Sequence, residues 1–217
     1  MDTDMNRLAA RLAESLGDSP AATAGRGLWP PLLRLLAHGQ PVRIEQLARA
    51  AGRTVEQVRA ALAEMPDTEY DEDGRVVGNG LTLRPTDHRF EVGGTPLYTW
   101  CALDTLVFPA ILGRTADVTS PCRATGVPVR VTVASDRITH VDPDTAVVSI
   151  VTPDAPTSIR AAFCDHVHFF ATAQAAAPWL AGHPDATVLP VADAHALAAP
   201  LVNALLDAAT PPHCCSG

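Results

Sequence analysis

Three side chains carry the types and spacing that could do chemistry: the thiols of Cys101 and Cys164 and the carboxyl of Asp104. Cys101 and Asp104 stand three positions apart in the apolar run Tyr98-Thr99-Trp100-Cys101-Ala102-Leu103-Asp104-Thr105-Leu106-Val107-Phe108. If the run is helical, that spacing puts them on one face, with Cβ atoms about 5–6 Å apart. Thiolate is a soft nucleophile and metal ligand. A carboxyl in apolar surroundings is pushed toward its protonated form and can carry a proton near neutral pH. Two thiolates can therefore clamp a soft metal ion or attack a soft centre while Asp104 moves the proton. A plainer assignment fits the pair taken alone: a core cysteine beside an aspartate that caps a helix.

Cys164 opens a second dense cluster, Cys164-Asp165-His166-Val167-His168-Phe169-Phe170. On a strand, His166 and His168 would share a face and could join Cys164 and a distant cysteine around structural zinc. The C-x-H-x-H spacing is not a standard zinc pattern, and such histidines more often pack and hydrogen-bond to backbone. The other cysteines are Cys122 and the vicinal pair Cys214-Cys215. There is no CxxC pair, no glycine-rich phosphate loop and no GxSxG elbow, and Gly78-Asn79-Gly80 reads as a turn.

The elements that must position these groups follow from periodicity. Leu8, Leu12 and Leu16 mark an amphipathic helix over 6–17, and the Ala/Gly/Ser/Pro-rich stretch after it reads as a mobile linker to residue 27. Three helices are expected over 28–65: one opening at Pro30-Pro31, one over 44–51 ended by Gly52, and one capped by Thr54 with Gln57 three positions on. A hairpin follows, Glu69-Tyr70 and Val76-Val77 about the turn Asp71-Glu72-Asp73-Gly74. Three helices and a hairpin outline a winged helix-turn-helix.

Beyond it, 81–96 reads as extended and 116–151 as four strands in an antiparallel or mixed sheet. A helix is expected over 154–163, capped by Asp154 or Thr157, then two more helices around a strand at 187–191. The fold class is thus α+β. Residues 1–27 form a helix and linker, 28–80 a winged-helix-like domain, 81–210 an α+β core, and 211–217 a flexible cysteine-bearing tail.

Composition narrows the function classes. A net charge of −8 argues against a general nucleic-acid binder. The expected third helix carries Glu56, Arg59 and Glu64 and the wing is acidic, where a DNA reader should offer cations to phosphates. No run approaches a membrane span. The acidic start Met1-Asp2-Thr3-Asp4 does not read as a signal peptide, so the five cysteines are expected as reduced thiols in a cytoplasm.

The segments Leu97-Tyr98-Thr99-Trp100-Cys101-Ala102-Leu103-Asp104-Thr105-Leu106-Val107-Phe108-Pro109-Ala110 and Phe163-Cys164-Asp165-His166-Val167-His168-Phe169-Phe170 resemble the two signature segments of the organomercurial (alkylmercury) lyase family. The stretches Thr68-Glu69-Tyr70-Asp71, Gly80-Leu81-Thr82-Leu83-Arg84 and Gly113-Arg114-Thr115-Ala116 fit the same family, over roughly residues 28–205. The resemblance implies catalytic cysteines at Cys101 and Cys164, a catalytic aspartate at Asp104, and a structural cysteine at Cys122. It implies a winged-helix-like part that does not act on DNA. Asp165 departs from the pattern, standing where some relatives carry another cysteine.

The implied reaction is protonolysis of a carbon–mercury bond to a hydrocarbon and Hg(II), in mercury detoxification. Organomercurial small molecules are the substrates, and Cys101, Cys164 and Asp104 hold the product Hg(II). No stored cofactor is implied; external thiols remove the product, and mercuric reductase is the expected acceptor. The rival is a winged-helix regulator sensing mercury or another soft metal without enzymatic activity, against which the acidic hairpin counts.

Overall fold

The computed structural model of the chain describes residues 3–17, 19–153 and 157–208. Cys214 and Cys215 lie outside them, as does Asp154, one of the two expected helix caps. The first helix, α1 (Thr3–Gly17), buries Leu12 completely. The expected mobile linker instead holds a second helix, α2 (Pro20–Gly25). Ser19 accepts the Ala22 N–H at 3.1 Å, and Pro20 takes the first turn, where its missing N–H costs nothing.

Helices α3 (Trp29–Leu36), α4 (Ile44–Ala51) and α5 (Val55–Ala63) follow the expected order. Gly52 closes α4 in the left-handed conformation, and Thr54 and Gln57 form a reciprocal capping box at the start of α5. Leu32, Leu33, Leu36, Leu47, Val58 and Leu62 fill the space between these helices. Strands β1 (Glu69–Tyr70) and β2 (Val76–Asn79) make the hairpin, its turn fixed by Asp71 Oδ1 accepting the N–H groups of Asp73 and Arg75.

The hairpin does not end as a separate wing. It continues into β3 (Leu81–Thr82), β4 (His88–Val92), β5 (Thr95–Thr99), β6 (Ala116–Pro121), β7 (Pro128–Val133) and β8 (Ile138–Asp142). The eight form one sheet in the order β1-β2-β3-β5-β4-β6-β7-β8, with every pairing antiparallel. Helix α6 (Ala102–Leu112) packs between this sheet, α3 and the last helix, and is apolar around most of its circumference because most of its surface meets protein. Phe108 on α6 meets Trp29 and Phe90 edge to face, at centroid distances of 5.6 and 6.4 Å.

A second, three-stranded antiparallel sheet has β9 (Val147–Ile150) between β10 (Phe169–Phe170) and β11 (Thr187–Pro190). Helices α7 (Ile159–Ala162), α8 (Ala173–Ala181) and α9 (Val191–Ala208) are the remaining described helices, α9 packing on α6 and α1. Among the described residues no helix is long and apolar enough to cross a membrane.

Two readings of the sequence change here. Among the described residues, the helix placed over 154–163 is four residues long and is capped by Ser158, which accepts the Ala161 N–H at 3.0 Å, rather than by Thr157. The segment 166–170, weighed as a strand for the zinc reading, is a strand only at Phe169–Phe170. Ser149 is the cause: its hydroxyl donates to the His166 carbonyl and accepts the His168 N–H, both at 2.8 Å, holding a turn where a strand would run straight.

Gly80 sits where α6 meets the sheet. Its φ of +81° suits only glycine, and a Cβ there would lie 2.9 Å from Phe108 Cζ. Gly80→Ala is expected to cost about 2–4 kcal/mol, the sum of a left-handed strain and an overpacked ring. Urea unfolding of the two chains measures it, and an unchanged midpoint would refute this account.

Candidate active site

Cys101 is the residue at which strand becomes helix. It keeps an extended backbone, φ −141° and ψ 170°, and serves as N-cap of α6, so Tyr98 and Thr99 belong to β5 and the helix begins at Ala102. The pair expected on one helix face is instead a capping box. The Asp104 N–H donates to Cys101 Sγ, and Asp104 Oδ2 accepts the Cys101 N–H at 3.2 Å. The sulfur thus sits at the positive end of a helix, a position that favours thiolate.

Cys164 begins a single 3₁₀ turn, Cys164–His166. Ala102, at the first position of α6, has an N–H with no partner inside the helix, and it donates to the Val167 carbonyl at 3.0 Å. The Val167 N–H in turn donates to the Cys164 carbonyl at 3.1 Å. The same helix start therefore presents one thiol and anchors the turn that presents the other. The Cys101 and Cys164 sulfurs and an Asp104 carboxylate oxygen all lie within 4.8 Å of one another.

Burial sets the protonation of the cluster. Cys101 is 0% and Cys164 5% exposed, while Asp104 keeps part of its surface accessible though protein surrounds it on most sides. Burial pushes the Cys101 thiol well above its ordinary range, helped by the hydrogen bond to Cys164 and the Asp104 charge and opposed by the Asp104 N–H. At Cys164 the hydrogen bond with Cys101 favours thiolate. Burial and the carboxylates of Asp104, Asp165 and Asp67 outweigh it, and the shift is upward. Burial also lifts Asp104 to about 7, against hydrogen bonds from the Cys101 thiol and the backbone of Cys101 and Trp100. Near neutral pH the resting site therefore holds two thiols beside a carboxyl poised to gain or lose a proton.

The other candidates lie elsewhere. His166 packs on His183 at 5.8 Å, and His168 on Trp179 at 6.2 Å. Neither joins Cys164 in a metal-capable group; among the described residues that group is Cys101, Asp104 and Cys164. Cys122 is buried at the β6–β7 connection, its N–H donating to the Val127 carbonyl at 2.7 Å. Asp165 is exposed. Sequence reasoning missed Asp67 and Arg160 and gave Glu69 no role; Arg160 stands one turn before Cys164, but only the chain's return past the hairpin brings Asp67 and Glu69 to it.

Family profiles match the whole described core. One described as the helix-turn-helix domain of alkylmercury lyase covers residues 7–80, and one described as alkylmercury lyase covers 81–203. An alkylmercury lyase from Streptomyces lividans is 63% identical over 99% of this chain and 100% of its own. Those of Staphylococcus epidermidis (strain ATCC 12228 / FDA PCI 1200) and Bacillus cereus are 52% and 49% identical over 89% and 91% of this chain, and 89% and 90% of theirs. A crystal structure of the mercury-bound form of MerB2 superposes with a TM-score of 0.71 at 25% identity, covering 94% of this chain and 100% of that one. With two profiles spanning nearly its full length and relatives this similar end to end, the chain belongs to the alkylmercury lyase family, enzymes that cleave the carbon–mercury bond.

Proposed function

We propose that this lyase cleaves its substrate with two thiolates and one carboxylate: Cys101, Cys164 and Asp104. The observation that carries the reading is the convergence of two sulfurs and a carboxyl oxygen within 4.8 Å at one largely buried point. Mercury is soft and takes thiolate in preference to harder ligands. Asp104 accepts the proton of Cys101, its hydrogen-bond partner, as that sulfur bonds to R–Hg⁺. Cys164 then gives up its own proton to solvent and adds its thiolate to the same mercury. The extra electron density makes the carbon basic; the electron pair of the carbon–mercury bond stays with carbon and takes the proton from Asp104. R–H leaves, and Hg(II) stays on Cys101 and Cys164 with Asp104 beside it. Release of benzene from phenylmercury with excess external thiol tests the reading; thiol is needed because it lifts Hg(II) from the pair.

The regulator alternative draws less support. The strand that would be a DNA-reading wing is tied into the catalytic half, where Asp67 accepts from Ser158 and Arg160 and Glu69 accepts from Trp100 and Arg160. Cys101, Cys122 and Cys164 are free thiols, and the chemistry needs them reduced, which favours the cytoplasm.

The Hg(II) acceptor in this reading is a mercuric reductase, with the vicinal thiols Cys214 and Cys215 collecting the ion before transfer. A second thiol pair on the same chain raises the local concentration of acceptor sulfur. Removing residues 213–217 is expected to slow transfer to the reductase severalfold; unchanged transfer rates end the idea.

A further inference from the structure

Glu69 is buried at the start of β1, away from the three reacting groups, yet it touches the flanks of both cysteines. Its Oε1 accepts the indole Nε1–H of Trp100 at 3.1 Å and the guanidinium of Arg160. Its Oε2 accepts the Thr82 hydroxyl. Trp100 immediately precedes Cys101, and Arg160 lies on α7, one turn before Cys164. The Arg160 guanidinium also lies over the Trp100 ring, 4.9 Å from its centroid. One carboxylate therefore joins the two segments that deliver the sulfurs.

Asp67 grips the same short helix. Its Oδ1 accepts the Ser158 hydroxyl at 2.6 Å and its Oδ2 the Arg160 N–H at 3.1 Å. Helix α7 has four residues, none of them buried, and a helix that short does not hold itself in place. Asp67 and Glu69 hold it instead. Gly78 leaves room for this, since a Cβ there would fall on Glu69 Oε2 and lie 2.6 Å from Thr82 Oγ1.

We propose that Glu69 is a positioning residue for carbon–mercury cleavage, joining Trp100 to Arg160 and so fixing the approach of the Cys164 turn to Cys101. The helix-turn-helix region then serves catalysis as the brace of the site. The inference rests on the two-thiolate reading above. A reaction needing two sulfurs on one mercury tolerates little slack, because a misplacement of about 1 Å can cost on the order of 100-fold in rate.

The test uses the full-length chain with Cys214 and Cys215 changed to serine, so that the vicinal pair does not compete. Parent, Glu69→Gln, Arg160→Met and the double variant are compared. Phenylarsine oxide reports sulfur spacing: its arsenic bonds to both sulfurs, and the two thiol protons leave with its oxygen as water. Iodoacetamide, which alkylates one thiol, is the control. Arsenical capture and kcat for phenylmercury are expected to fall together by roughly 10- to 100-fold. KM should change by less than about threefold and alkylation should not slow. The double variant should be no worse than the poorer single, since both break one ion pair. Capture within about twofold of the parent in both single variants, or losses that multiply in the double, would overturn the proposal. Arg160→Met alters a half-exposed side chain, so it supplies a folded variant if Glu69→Gln does not. Arsenical capture involves no carbon–mercury cleavage. Turnover surviving in Cys164→Ser would therefore sink the two-thiolate chemistry while leaving the bracing result standing.

Discussion

Cys101→Ser and Cys164→Ser are each expected to abolish hydrocarbon release from methyl- or phenylmercury, by a factor of at least on the order of 10³. Serine keeps the size and the hydrogen-bonding capacity but replaces a soft, ionisable sulfur by a hard hydroxyl that does not ionise near neutral pH and binds mercury poorly. The losses should not multiply in the double variant, because the sulfurs act on one mercury atom as a unit. At Cys101 the change leaves a good N-cap, serine being a preferred capping residue, so the variant should fold as stably as the parent or better. Gas chromatography of the released methane or benzene, with excess external thiol present, reads the result directly. Sustained turnover in either variant would break the two-thiolate scheme.

Asp104→Asn is expected to separate activity from stability. Loss of the proton carrier should lower kcat by about 10²–10⁴-fold. In the parent, kcat/KM should rise with pH through about 7, where Asp104 gains the ionised form that takes the Cys101 proton. That acid limb should be missing from the residual activity of the variant.

Stability should move the other way. The folded-state pKa of Asp104, about 7, lies above its ordinary 3.8, so between those values the folded chain holds a proton that the unfolded chain has released. Folding is therefore favoured at low pH, and this contribution is lost as pH climbs from about 4 to about 7. Asparagine carries no charge in either state, so its advantage should be absent near pH 4, grow across that window and level off above it. Since Asp104 keeps some contact with solvent, the plateau should be about 1–2 kcal/mol rather than the full shift. Thermal unfolding at pH 4.5 and pH 8 checks it; a variant less stable than the parent at pH 8 would show that the carboxylate is no burden to the fold. A residue that weakens the fold where it serves the chemistry is a familiar trade.

Much of the local structure was legible in residue order. The Thr54-x-x-Gln57 box, the left-handed Gly52 and the alternation in β6 and β7 depend on neighbours a few positions away, and each appears where the pattern put it. The short helix α2 was also written locally, in Ser19-Pro20, but the small residues around it mask the cap. The turn at His166–His168 was not legible, because Ser149, which holds it, comes from a different strand.

What the sequence determined by itself was the reagent set: two thiols, one carboxyl three positions from the first, and the order of segments that carries the family resemblance. Only the tertiary structure decided that the Ala102 N–H binds the Val167 carbonyl and that Glu69 reaches both Trp100 and Arg160. Capping and alternation are short-range and are encoded within a turn or two. The meeting of two distant sulfurs is a property of packing, set when burial of α6 and closure of the sheet bring separate stretches of chain against one helix end.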